Sequence, residues 1–304
     1  MKQFPKHDGL VGASRYVATI AAGHFRPQRG YLPEPTEPTA TVTFVRFEGE
    51  VYAITAKHVV LELDNWMDKS GQLAGTYFCP ANQGVILHGP FVIPPPLFPQ
   101  RDPDVAVLKV TENHLGRLGK DAYDILEDSE MPWPPTHGRA FGFPTVDKSA
   151  VTDLGGECLE MKSVEAVAEC ITTGSDSDQI QFNSELSEPV ERGSLSGLSG
   201  GAVFWSTEEH YGLAGIVKEA FDVNPKEGEV SFYTNPKVNF ICQRVDHAAM
   251  TRWVQHLNLH WQSERDKLNQ QARALNERDV QTRHDQGLSV FGDDAVLEGD
   301  PGGR

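Results

Sequence analysis

Ser199 stands in Gly197-Leu198-Ser199-Gly200-Gly201, with glycines on both sides and the apolar run Ala202-Val203-Phe204-Trp205 directly after it. In such a setting a hydroxyl can meet a carbonyl with no side chain in the way. Glycine dihedrals also let neighbouring N–H groups converge on one developing oxyanion. Taken alone, the pentapeptide also reads as a flexible glycine-serine loop. A serine hydroxyl is a weak nucleophile, so chemistry here needs a base to take its proton and an acid to orient that base. Thr55-Ala56-Lys57-His58 offers His58 as the base, and Asp104-Val105-Ala106-Val107-Leu108 offers Asp104 as the acid. Asp102 is a rival, but only Asp104 directly abuts the Val-Ala-Val-Leu run.

Other constellations are weaker. Gly197–Gly201 also satisfies G-x-S-x-G, the nucleophile elbow of an esterase, which needs a helix after the serine and the order Ser, acid, His. Here a strand-like run follows, and the order is His, Asp, Ser. His256 and His260 lie one helical turn apart, but Leu257 occupies the place where a zinc peptidase helix carries Glu. Asp176-Ser177-Asp178 lacks the further ligands a calcium loop requires. No metal and no cofactor is expected.

The elements that must position these residues are short strands. Tyr16 to Ile20 reads as a first strand after a loosely held lead-in. Thr41–Phe47 and Val51–Thr55 alternate around Glu48-Gly49-Glu50 as a hairpin that delivers His58. A short helical turn is expected at 60–66, and strands at 76–78, 85–87, 91–93 and 105–110. The second half repeats this texture at 139–142, 158–168, 179–182, 202–205, 211–217 and 231–234. Many short strands with Gly and Pro turns predict an all-β fold of barrels. The expected organisation is an N-terminal barrel over 1–120 carrying His58 and Asp104, a linker over 121–137 and a second barrel over 138–245 carrying Ser199. A helix over 246–283 follows, with Trp253, Leu257 and Trp261 on one packing face, and then an acidic tail over 284–304.

The 304 residues carry a net charge of −16 and form no basic cluster, so neither nucleic acid nor an anionic membrane is an expected partner. Cys79, Cys158, Cys170 and Cys242 are scattered, without metal or redox spacing, and read as free thiols. With no signal-peptide pattern and no membrane-length apolar run, a cytoplasmic location is expected.

The ordered set T-A-x-H, D-[apolar]-A-[apolar]-L and G-x-S-G-G resembles the trypsin-like (chymotrypsin-fold) serine peptidases. The likeness extends to Gly142-Phe143-Pro144 and Gly215-Ile216-Val217 and covers about residues 40–245. It implies two six-stranded Greek-key β-barrels with a C-terminal helix, and a His58-Asp104-Ser199 triad acting through an acyl-enzyme. It also implies an oxyanion hole from the N–H groups of Gly197 and Ser199. Leu198 replaces the Asp that pairs with a cleaved N-terminus in secreted members, and Val59 replaces a common half-cystine. No PDZ-like module follows. These departures suggest an intracellular, bacterial-type branch. Gly193 lies at the base of the primary pocket, beside Ser194, which removes the acidic group that selects Arg or Lys. Gly215, Lys218, Glu219 and Ala220 fall along the substrate-pairing edge. The implied activity is a serine endopeptidase acting on proteins or peptides with an uncharged P1 side chain. Control by a regulatory protein partner, with residues 262–304 as a candidate contact, is also expected. A non-catalytic peptide-binding module on the same scaffold is the competing reading.

Overall fold

Leu10, Ala13 and Tyr16 recur every third residue and are all buried, which suits the three-residue turn of a 3₁₀ helix over His7–Tyr16. The loose lead-in expected from sequence is therefore ordered from residue 7. The computed structural model describes residues 6–25, 30, 32–34, 36–71, 75–81, 84–96, 102–127, 135–144, 148–153, 156–161, 163–172, 178–185, 197–222 and 237–285.

The first sheet contains β1 (Val17–Ala22), β2 (Thr39–Phe47), β3 (Glu50–Thr55), β4 (Thr76–Cys79), β5 (Val85–His88) and β6 (Ala106–Val110), ordered β5-β4-β1-β2-β3-β6. Glu48 (φ 50°) and Gly49 (φ 81°) form the tight β2–β3 turn, in which two positive φ values match the twist of the strands. Both faces of this sheet are covered, which explains its near-continuous apolar runs. Ala18, Ile20, Val42, Phe44, Ala53 and Leu108 face one core, shared with α1 (Lys57–Lys69). Val17, Val45, Phe47, Tyr52, Ile54 and Val107 face a second core, shared with the other half of the fold. The expected short turn at 60–66 is this thirteen-residue helix, whose Val59, Val60, Leu63 and Met67 are buried. The sheet is open, but Val92, four residues beyond the end of β5, exchanges N–H···O bonds of 2.8 and 3.0 Å with Val107 of β6.

A helix that was not expected precedes the linker expected over 121–137, and a strand begins it. Thr111 caps α2 (Glu112–Leu118) by accepting from the His114 N–H while its own N–H donates to His114 Nδ1, and Leu115 and Leu118 are buried. β7 (Tyr123–Asp124) then adds to β2 in parallel as the seventh strand.

The second half contains β8 (His137–Gly142), a β9 (Ser149–Asp153) and β10 (Gly156–Glu160) hairpin, β11 (Val164–Cys170), β12 (Gln179–Glu185), β13 (Ala202–Ser206), β14 (Tyr211–Asp222) and β15 (Lys237–Arg244). Six strands close as β11-β12-β15-β14-β13-β8, an all-antiparallel barrel. The single strand expected over 158–168 is divided between β10 and β11. The strand expected at 231–234 lies outside the described residues. β15 was not expected, because the buried polar residues Asn239 and Gln243 cut its apolar run down to Phe240–Cys242.

Asp246 caps α3 (His247–Asp285), accepting from the Ala249 N–H at 2.8 Å. The chain divides into two compact units, 1–257 and 258–304. Within the first, Ala249, Met250, Trp253, Val254 and Leu257 are buried. Trp261, expected on the same packing face, is instead 39% exposed, and Leu268 and Leu275 beyond it are exposed too. Among the described residues no helix is long and apolar enough to cross a membrane.

Candidate active site

Ala56 precedes α1 and has no side-chain acceptor for the orphan N–H groups of the first turn. A distant carboxylate does that work. Asp104 Oδ1 accepts the His58 backbone N–H at 3.0 Å, and Asp104 Oδ2 lies 2.7 Å from His58 Nδ1. One carboxylate therefore caps the helix and holds the ring. With the proton on Nδ1, the neutral imidazole presents Nε2 as its free base. The side chain of Asp104 is 13% exposed, against 48% for His58. Asp102 is engaged elsewhere, in an ion pair with Lys57.

His58 is held above the ordinary imidazole value of 6.5. The hydrogen bond His58 donates to Asp104 is the main cause; burial opposes it, and the charges of Asp104, Glu62 and Glu219 add to it. For Asp104 burial acts upward, but the hydrogen bonds and charge of His58, with the charge of Lys218, outweigh it and hold the carboxyl below its ordinary range. Because the base must be neutral to accept a proton, a raised pKa places the acid limb of activity at higher pH. Glu62→Gln and Glu219→Gln are each expected to move that limb to lower pH, most clearly at low ionic strength. The pH profile of the inactivation rate by a fluorophosphonate measures this.

The nucleophile loop is wedged against the first sheet. Gly197 (φ 97°) and Gly200 (φ 85°) both adopt dihedrals that favour glycine. A Cβ on Gly200 would meet the Thr41 carbonyl oxygen at 2.1 Å and Thr55 Oγ1 at 2.2 Å. Thr41 Oγ1 donates to the Gly197 carbonyl at 2.7 Å, and the Thr41 N–H donates to the Ser199 carbonyl at 3.2 Å. Thr43 Oγ1 donates to the Gly200 carbonyl at 2.7 Å, and Thr55 Oγ1 to the Thr41 carbonyl at 2.8 Å. Thr55 ends β3 three residues before His58, so this threonine set joins the serine loop to the histidine arm. Sequence reading assigned these threonines no role. Their signal was a run of polar residues, Thr39, Thr41, Thr43 and Thr55, at positions that prove buried.

Leu198 is 1% exposed and packs against Gly142, where a Cβ would meet Leu198 Cδ2 at 2.6 Å. The Gly200 N–H donates to the Val217 carbonyl and the Gly201 N–H to the Leu198 carbonyl, both at 2.8 Å. The N–H groups of Gly197 and Ser199 have no acceptor among the described residues. Ser199 Oγ donates to the Lys218 carbonyl at 3.4 Å, and among the described residues no hydrogen bond joins it to His58.

β14 pairs with β13 only as far as Ile216, opposite Ala202, and Val217 is bonded to Gly200 and Gly201. From Lys218 onward β14 pairs on one side, with β15, and Lys218 is an extra residue in that pairing. Such a bulge re-aims side chains at a rim. Among the described residues, Lys218, Glu219 and Ala220 therefore pair on one side only. Gly215 does not: it pairs with Val203 and Arg244 on its two sides, and a Cβ there would meet the Gln243 carbonyl at 2.1 Å. Its place is inside the barrel wall, where close backbone packing demands glycine. Gly193 and Ser194 lie outside the described residues. The serine is followed by the antiparallel strand β13, not a helix, which removes the esterase elbow.

No protein-family model and no curated protein matches the chain. Among solved structures it is similar to the thermostable serine protease AL20 from an extremophilic microorganism, with 13% identity, 79% of this chain and 95% of that chain covered, and a TM-score of 0.43. It is also similar to human heparin binding protein, at 12% identity, 76% and 86% coverage and a TM-score of 0.39. A third similarity is to a structure described for the coupled folding and binding of the intrinsically disordered Sesbania mosaic virus VPg protein. There the identity is 14%, the coverage 74% and 85%, and the TM-score 0.35. The geometry around His58, and not these distant likenesses, carries the functional reading below.

Proposed function

We propose that the protein is a serine endopeptidase that cleaves protein or peptide substrates with His58, Asp104 and Ser199. The observation that carries this reading is the double engagement of His58 by Asp104, through Nδ1 at 2.7 Å and the backbone N–H at 3.0 Å. It leaves Nε2 as the base for Ser199, in a loop where the N–H groups of Gly197 and Ser199 have no acceptor among the described residues.

An extended substrate adds along Lys218–Ala220, which presents its carbonyl to Ser199. Ser199 Oγ attacks that carbonyl while its proton passes to His58 Nε2, and Asp104 stabilises the imidazolium. The N–H groups of Gly197 and Ser199 receive the oxyanion. Collapse of the tetrahedral adduct breaks the peptide C–N bond, and His58 returns the proton to the leaving amine. Water, deprotonated by the same nitrogen, then attacks the acyl-enzyme and releases Ser199. We further infer an intracellular, bacterial-type enzyme working in the cytoplasm, a reading supported by the free thiols Cys79 and Cys242, both buried. Control by a protein partner belongs to the same proposal.

A fluorophosphonate probe is expected to label the wild-type chain covalently. Ser199→Ala and His58→Ala are each expected to lower the rate by about 10⁶ or to abolish labelling. A folded wild-type chain that never labels, with or without candidate substrates present, would favour the non-catalytic peptide-binding module.

A further inference from the structure

We propose that Thr41 is a positioning residue that sets the oxyanion loop, because both residues whose N–H groups would bind the oxyanion are tied to it through their carbonyls. Gly197 is tied by the Thr41 hydroxyl at 2.7 Å and Ser199 by the Thr41 N–H at 3.2 Å. The inference rests on the triad reading and assigns a role within that site.

The direction of the hydroxyl bond is determined. Phe143 N–H, which can only donate, lies 2.9 Å from Thr41 Oγ1, so the hydroxyl accepts there. Its single proton is left for the Gly197 carbonyl. The side chain is fully buried, where such a bond has no competing water. Gly197 has no side chain of its own to hold its orientation, and at φ 97° its two soft dihedrals are otherwise free to turn. The Thr41 bond holds its carbonyl against the first sheet. Thr41 is itself held, since its carbonyl accepts from Thr55 Oγ1 at 2.8 Å. A chain of bonds thus runs from the end of β3, beside the histidine arm, through Thr41 to both oxyanion donors. The link from β8 enters through Phe143, so the same hydroxyl sets the loop relative to both halves of the site.

The test compares Thr41→Val, which keeps the shape and loses the hydroxyl, with Thr41→Ser, which restores it. Fluorophosphonate inactivation rates are measured across pH, together with thermal unfolding. Thr41→Val is expected to lower the plateau rate by roughly ten- to a hundredfold, part of what one lost oxyanion donor costs. The pH midpoint, set by His58 and Asp104, should not move, and Thr41→Ser should recover most of the rate. A folded Thr41→Val protein that labels at the wild-type rate, or a midpoint that moves with the plateau, overturns the role. Should Thr41→Val not fold, Thr41→Ala decides by the same two criteria. If the wild-type chain itself does not label, the triad reading has failed rather than the role of Thr41.

Discussion

Asp104→Asn is expected to reduce the fluorophosphonate inactivation rate by about 10⁴ while the chain stays folded. The reason lies in the two bonds this carboxylate makes. In the asparagine variant, the amide oxygen is the only group able to accept the His58 backbone N–H, now bonded to Oδ1 at 3.0 Å. The amide NH₂ then faces Nδ1, where Oδ2 now lies at 2.7 Å. Two donors cannot share that contact, so Nδ1 becomes the acceptor and the ring proton moves to Nε2. The nitrogen that should take the serine proton is then already protonated. A second signature separates this from general damage. The Asp104 hydrogen bond and charge raise the His58 pKa, so their loss moves the acid limb to lower pH even as the plateau falls. The stability effect has its own sign. A carboxyl held below its ordinary range stabilises the folded state above its unfolded pKa, and that contribution is lost as pH falls through the folded value. The His58 contribution runs the other way, present below its unfolded pKa and lost as pH rises through its raised folded value. The difference in unfolding midpoint between wild type and Asp104→Asn should therefore be largest in mildly acidic solution, between the two, and shrink both in stronger acid and toward alkaline pH. An unchanged rate in a folded variant would remove Asp104 from the mechanism.

Gly200→Ala is expected to cost several kcal/mol of stability, about 3–5, and to abolish labelling. The new Cβ would sit 2.1 Å from the Thr41 carbonyl oxygen, 2.2 Å from Thr55 Oγ1 and 3.1 Å from Thr55 Cα. Two of these belong to strand backbone that cannot yield without breaking the sheet. The positive φ of 85° adds strain to the clash. Gly49→Ala provides the contrast. Its φ of 81° is almost the same, but nothing lies within 4 Å of the new carbon, so only the conformational cost of about 1 kcal/mol is expected. Urea unfolding of the two variants, beside labelling of each, measures both effects. Equal losses at the two positions would mean that the serine loop is not wedged against β2 and β3.

Much of the scaffold is legible because its strands obey simple patterns. The β2–β3 hairpin follows from alternation around Glu48-Gly49, and α3 from its apolar spacing. The misses have physical causes. The 3₁₀ helix over His7–Tyr16 has a three-residue apolar period that neither a strand nor an α-helix template matches. α2 was lost in a polar stretch whose capping residue, Thr111, and buried leucines are only two turns long. β15 was obscured because its polar residues Asn239 and Gln243 are buried between neighbouring strands. Trp261 continues the spacing of Trp253 and Leu257 but belongs to the second unit, which begins at Asn258, a boundary that periodicity does not mark.

What the sequence by itself determined was the cast of the site: the order His58, Asp104, Ser199, with glycines where the serine loop needs positive φ. Local chemistry suffices for that, because each motif is a short segment whose residue types restrict what it can do. Only the tertiary structure decided that Asp104 holds both the ring and the backbone N–H of His58, that Gly215 belongs to the barrel wall while Lys218–Ala220 pair on one side only among the described residues, and that Thr41 ties the carbonyls of Gly197 and Ser199 to the first sheet. These depend on contacts between segments up to 158 residues apart, from Thr41 to Ser199, whose pairing is set by packing rather than by the sequence around either one.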